Sequence, residues 1–283
     1  TDIGSDIDDS LCLAYLLSQK ECEIVGITTV SGEAKKRAMM VSALCKKANQ
    51  DIPVFVGIEN PLCINPIQKL AQQADRLSNW EHDKEFGTLG AIDFMRKIIR
   101  ENPNEITLLA IGPLTNIALL FSVDPEIPSL LKELVLMCGV FTENPKLPKA
   151  EWNVICDPHA AKIVYGANVK RIRSVGLDVT MQLTMTKAQM NQYFTADILK
   201  PVIDFAGVWF EQRKEMVFHD PLAAAGIFDE DICLFEKGTV EVEIYNKELP
   251  GRTIWEKGES HNEVAVKVNK ERFFDIINSK ELA

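Results

Sequence analysis

Along roughly the first 180 residues, short β-branched apolar runs alternate with stretches whose apolar positions recur every three or four residues. The uninterrupted runs at 23–30, 53–56, 106–111, 134–137 and 171–175 predict strands buried on both faces. The periodic stretches at 8–20, 34–48, 88–100, 113–122 and 157–166 predict amphipathic helices between them. Strand and helix in alternation imply right-handed crossovers and an α/β fold. Its core is an open, mostly parallel, Rossmann-like sheet with helices on both faces. After Thr180 the texture changes. Helical patterning covers 186–227, period-two alternation at 240–245 and 264–268 predicts a short antiparallel portion, and a last helix is expected near 270–279. There is no internal repeat, low-complexity tract or linker, so residues 1–283 are expected to form a single domain. Two polar, proline-bearing stretches, 59–86 and 141–150, predict long surface loops of the kind that serve as lids or binding loops.

Charge narrows the partners. The formal net charge of −10 argues against nucleic-acid backbones and anionic membrane surfaces. No apolar run reaches the ~18 residues of a membrane span, and no secretory leader pattern opens the chain. The seven cysteines are scattered among apolar neighbours without a CxxC pair. They predict buried free thiols and a cytoplasmic setting, with neither a disulfide frame nor a zinc site.

The opening segment carries the candidate chemistry. Asp2, Asp6, Asp8 and Asp9 fall within eight residues, with Gly4 and Ser5 forming a turn and a helical pattern starting at the aspartates. Carboxylates gathered this closely repel one another, and a hard divalent cation such as calcium relieves the repulsion through its preference for carboxylate oxygens. A strand end followed by a helix amino terminus is also where open α/β sheets place their sites. The plain structural alternative is a solvated acidic helix start. An EF-hand is disfavoured, because the glycine and the distant closing glutamate of that loop are missing.

Read in order, the opening is followed by Thr28-Thr29-Val30-Ser31-Gly32, Gly112-Pro113-Leu114-Thr115-Asn116, Leu136-Met137-Cys138-Gly139, Glu151-Trp152-Asn153, Gly176-Leu177-Asp178 and His219-Asp220-Pro221. This succession resembles the inosine–uridine-preferring nucleoside hydrolase family over nearly the whole chain. The resemblance implies hydrolysis of the N-glycosidic bond of a small-molecule ribonucleoside to ribose and free base, with a calcium ion (Ca2+) at the ribose. It implies a metal shell of Asp2, Asp9, Asp220 and the main-chain carbonyl of Ile111, with Asp2 also acting as base toward the attacking water. It further implies sugar contacts from Asp8, Met137, Glu151, Asn153 and Asp220, with Asn144 as a further ribose asparagine. His219 becomes the expected proton donor to the departing base, because histidine titrates near neutrality. Assembly as a homodimer or homotetramer is expected.

Three departures qualify the match. The chain starts at Thr1, so the first strand that usually precedes this threonine is expected to be missing from the given sequence. The opening turn is two residues longer than the shortest family version and takes in Asp6. Glu33 stands where an asparagine usually faces substrate, which adds negative charge beside the ribose. Two alternatives therefore stand beside nucleoside hydrolysis: a hydrolase of a modified or non-nucleoside ribosyl compound, and a non-catalytic ribosyl-binding protein. Asn116 is expected to cap a helix, and Arg213, six residues before His219, is a second candidate partner of the leaving base.

Overall fold

The computed structural model describes residues 1–246 and 249–278. Strands β1 (Ile27–Thr28) and β2 (Val54–Phe55) form a small parallel pair. A six-stranded sheet holds β3 (Thr107–Ala110), β4 (Glu133–Met137), β5 (Ile172–Val175), β8 (Cys233–Val242), β9 (Thr253–Lys257) and β10 (Asn262–Val268), in the order β3-β4-β5-β10-β8-β9. β3, β4, β5 and β10 run parallel, and β8 and β9 complete the sheet antiparallel. A third, two-stranded sheet pairs β6 (Thr184–Thr186) with β7 (Glu215–Val217) antiparallel. Every residue of β4 is buried, as expected of a strand covered on both faces. By contrast β8 alternates buried and exposed from Gly238 to Val242, so one of its faces meets solvent.

The strand and helix pattern of the first half matches the expectation closely. Helices occupy Asp8–Ser18, Ala34–Lys47, Ala91–Glu101, Thr115–Val123 and Pro158–Tyr165. The strands are shorter than the apolar runs that announced them; only Ile27–Thr28 of the run 23–30 pairs. In the second half the span 186–227 is not continuously helical. Helices Lys187–Tyr193, Lys200–Trp209 and His219–Phe228 are interrupted by β7, which pairs with β6. The antiparallel portion also includes β9, which the alternation did not announce, and its first strand is Cys233–Val242 where 240–245 was expected. The final helix is Lys270–Ile277; residue 279 of the expected span lies outside the described residues.

The β1–β2 pair and the parallel part of the six-stranded sheet leave a slot that the opening residues enter. The Thr1 amino group donates to the Thr28 carbonyl at 3.1 Å, and the Val30 N–H donates to the Thr1 carbonyl at 3.0 Å. This is the pattern of a parallel bridge. On the other side Asp2 lies against Gly112, where a Cβ would come within 2.6 Å of the Asp2 Oδ1. Only glycine admits that approach, which gives the Gly112-Pro113 step a physical reason. Asp2 therefore sits at the carboxyl ends of the parallel strands, where such sheets build their sites.

Arg37, fully buried on helix Ala34–Lys47, fixes the turn that follows. Its guanidinium donates to the carbonyls of Gly32 (2.9 Å), Ile3 (3.0 Å), Leu70 (3.0 Å) and Asp2, and to the Ser5 hydroxyl (2.9 Å). A planar fork with five N–H donors suits three separate stretches of chain, and a lysine could not replace it. Arg173 on β5 plays a related part. It pairs with Glu133 on the neighbouring β4 at 2.9 Å and donates to the Gly226 carbonyl at 2.7 Å, which ties helix His219–Phe228 to the sheet. All seven cysteines are free thiols; Cys63 is exposed, Cys22 partly buried and the rest buried. No described helix is long and apolar enough to cross a membrane.

Candidate active site

Helices Asp8–Ser18 and His219–Phe228 begin side by side and pack on one another. The N–H of Asp220 donates to Asp8 Oδ2 at 3.1 Å, so a carboxylate from the first helix serves the amino terminus of the second. Partial positive charge at both helix starts favours the acids placed there. One carboxylate oxygen from each of Asp8, Asp9 and Asp220 lies within 4.8 Å of the others, and all three residues are buried. Asp2 is buried beside them, close enough to raise the pKa of each.

The electrostatics show what this arrangement lacks. Burial, then the neighbouring acids, pushes the Asp9 carboxyl up to about 8 and holds Asp8 and Asp220 well above the ordinary carboxylate range. Asp6, whose Oδ1 accepts the Ile7 N–H at 2.6 Å, is raised to about 7, again mainly by burial. The nearby positive charge of Arg37 lowers Asp9 but leaves it far above its usual value. Buried oxygens with this much unrelieved repulsion, and no sulfur or nitrogen ligand among the grouped residues, suit a hard divalent cation. A raised carboxyl binds protons that the unfolded chain releases. The stability it contributes is therefore full below the ordinary pKa of 3.8 and lost as pH rises toward about 8. With divalent ions chelated, the Tm is expected to fall over that window. An added hard divalent cation is expected to restore it, and by more at pH 8 than at pH 5, because ligands must be deprotonated to bind. A cation-induced Tm shift that does not grow with pH would contradict this.

The remaining predicted residues divide. Glu151 caps helix Trp152–Cys156, accepting from the N–H groups of Asn153 (2.7 Å), Val154 (3.2 Å) and Gly139 (3.3 Å). Burial nonetheless pushes it up to about 7. The Asn153 amide donates to the carbonyls of Met137 (3.1 Å) and Ile111 (3.3 Å), so Ile111, Met137 and Asn153 form one buried unit beside the acids. His219 opens its helix with Nδ1 2.7 Å from the Thr180 hydroxyl, and burial pushes its imidazole down to about 4. It is therefore neutral at pH 7, and Nε2 is the nitrogen left to face a ligand.

Two predicted residues lie elsewhere. Glu33 has a left-handed backbone (φ 61°), and its carboxylate is spent on the Ala71 N–H (2.9 Å) and Lys36 (2.5 Å). It does not join the acidic group. Asn144 is exposed, with Oδ1 accepting from the Lys146 N–H inside a turn of its own loop. Asp178 fastens the base of that loop by accepting from the N–H groups of Phe141 and Thr142. Asn116 is not a helix cap. Its amide joins the Thr29 carbonyl to the Ile58 N–H, bracing the segments that follow β1 and β2. Arg213 is exposed, stacks on Trp209 at 5.5 Å and faces Asp6 electrostatically. Two contacts had no local signal in the sequence: Thr180 behind His219, and Gln68, which reaches Asp2 from the 59–86 loop.

Comparison with known proteins places the chain in a family. The family model described as inosine-uridine preferring nucleoside hydrolase matches residues 1–275. The inosine-uridine preferring nucleoside hydrolase of Crithidia fasciculata is 26% identical, with 98% of this chain and 94% of that protein covered. Uridine nucleosidase 1 of Arabidopsis thaliana is 27% identical over 91% of this chain and 81% of its own length. The purine-preferring ribonucleoside hydrolase from Gardnerella vaginalis superposes with a TM-score of 0.87 at 23% identity, covering 99% of this chain and 96% of that one, which establishes the shared fold. With the match running from Thr1 past Asp220, the chain belongs to the inosine–uridine preferring nucleoside hydrolase family.

Proposed function

We propose that the protein hydrolyses the N-glycosidic bond of ribonucleosides, releasing ribose and a free base. The observation that carries this reading is the convergence of Asp8, Asp9 and Asp220 with Asp2 in one buried acidic site on a fold of this family. Calcium is the cation proposed for it, held by Asp2, Asp9, Asp220 and the Ile111 carbonyl. When bound it would lower the pKa of a coordinated water and orient the sugar hydroxyls.

The chain's own groups do the rest. Asp2 accepts the proton of the attacking water. Asp8 and Asp220 face the sugar hydroxyls, Glu151 and Asn153 hold its far side, and Met137 forms an apolar floor. As the C1′–N bond lengthens the ribosyl group becomes cationic, and the surrounding carboxylates stabilise that charge from fixed positions. His219 presents Nε2 to the departing base, whose nitrogen takes up a proton as it leaves. Glu33, bound to the Ala71 N–H and Lys36, is not one of the grouped acids.

Ribose release from inosine, uridine, cytidine and a phosphorylated nucleoside, each with calcium and with chelator, tests the reading. Cation-dependent release from at least one unphosphorylated nucleoside is expected. Release from the phosphorylated compound alone would mean a different ribosyl substrate. Tight binding without turnover would mean a ribosyl-binding protein.

A further inference from the structure

Residues 66–73 form a strap across the opening turn. Its main chain is fastened repeatedly: the Gln68 carbonyl accepts from the Gly32 N–H (3.2 Å) and the Ser31 hydroxyl (3.3 Å), and the Gln73 N–H donates to the Gly4 carbonyl (3.1 Å). Gly32 permits this closeness, since a Cβ there would lie 2.4 Å from the Lys69 carbonyl oxygen. From the strap the buried Gln68 side chain points inward. Its Nε2 donates to Asp2 Oδ2 at 2.5 Å, and its Oε1 accepts from the Trp152 indole N–H. An indole can only donate and a carboxylate can only accept. The amide between them therefore has one orientation that satisfies both, and the chain Trp152 → Gln68 → Asp2 has a fixed direction. Gly112 packs against the other Asp2 oxygen, so both oxygens of this carboxylate are set.

We propose that Gln68 is a positioning residue for Asp2, and that Trp152 holds Gln68 in place for that task. The proposal rests on the reading of Asp2 as the base that receives the water proton. Trp152 lies between Glu151 and Asn153 and is 51% exposed, so the relay joins the sugar-holding segment to the base. A neutral amide suits the position because it restrains the carboxylate without competing for the proton. A carboxylate of this kind must meet the water in a narrow range of angles, and misplacement by about an ångström costs on the order of 10²-fold in rate.

Gln68→Leu is expected to lower kcat by about 10²-fold on both inosine and a nitrophenyl riboside at saturating calcium, since water activation is common to the two, while KM for each stays near the parent value. Trp152→Phe keeps an aromatic ring, removes the indole N–H and lowers kcat less. Added to Gln68→Leu it costs nothing more, because coupled residues are not additive. A direct readout comes from ¹⁵N-labelled protein: the Trp152 indole N–H resonance, identified by its loss in Trp152→Phe, moves upfield in Gln68→Leu. An unmoved resonance, a Gln68→Leu kcat near the parent value, or fully additive losses would overturn the proposal. If the parent protein cleaves no nucleoside, the reading of the site fails, while the indole resonance still decides whether the relay exists.

Discussion

His219→Ala is expected to cut ribose release from inosine by about 10²–10⁴-fold, while a nitrophenyl riboside is cleaved at nearly the parent rate. The contrast comes from the leaving groups. Hypoxanthine departs poorly unless a ring nitrogen is protonated or hydrogen-bonded, whereas nitrophenolate is a stable anion in water. Because burial holds the imidazole neutral at pH 7, its ability to donate depends on which nitrogen carries the proton. When the Thr180 hydroxyl donates to Nδ1, Nε2 carries the hydrogen and offers it to the base. Loss of fold or of the metal site would slow both substrates together. A parallel drop on the two would show that His219 serves packing and that the proton comes from elsewhere.

Asp9→Ala should remove calcium binding and activity together, whereas Glu151→Ala should keep the ion and lose the sugar. Asp9 is one of three grouped carboxylates, and its removal leaves a cation short of charge. Glu151 is not in that group; its oxygens face three main-chain N–H groups. Its loss carries a second, separable cost of about 0.5–2 kcal/mol in stability, as for other helix caps. Calorimetric titration of calcium into both variants, with Tm measured alongside, resolves the two roles. Equal loss of calcium affinity in both would sink the division of labour.

The difference between what the sequence foretold and what it concealed is one of range. Asp2, Asp8 and Asp9 were legible because they are crowded into one turn, and crowding of like charge is a local fact. The buried strands were legible for a similar reason, as unbroken apolar runs. Strands β6 and β7 were not. Each has three residues, and Met185 and Met216 serve helix and strand equally well. Strand β9 follows a Pro-Gly turn, lies at the sheet edge and ends in the exposed Glu256 and Lys257, so its alternation is weak. Glu33 was placed by resemblance alone, and one contact that occupies its carboxylate, the Ala71 N–H, comes from 38 residues further along the chain. Gln68 sits in an irregular loop, where no periodicity tells which side chain points inward. Its role exists only once the strap lies across Gly32.

The contact between Asp8 and Asp220 joins residues 212 positions apart, and this has a consequence for how the protein is made. During synthesis Asp8 emerges 212 residues before its partner Asp220 exists. Until then the opening acids form a flexible acidic segment with no reason to select one cation over another. Helix His219–Phe228 must dock before the oxygens close on a common centre, and contacts so distant in sequence form slowly. Cation selectivity is therefore among the last properties a newly made chain acquires. A nascent chain stalled before residue 219 should hold calcium no better than any short acidic peptide.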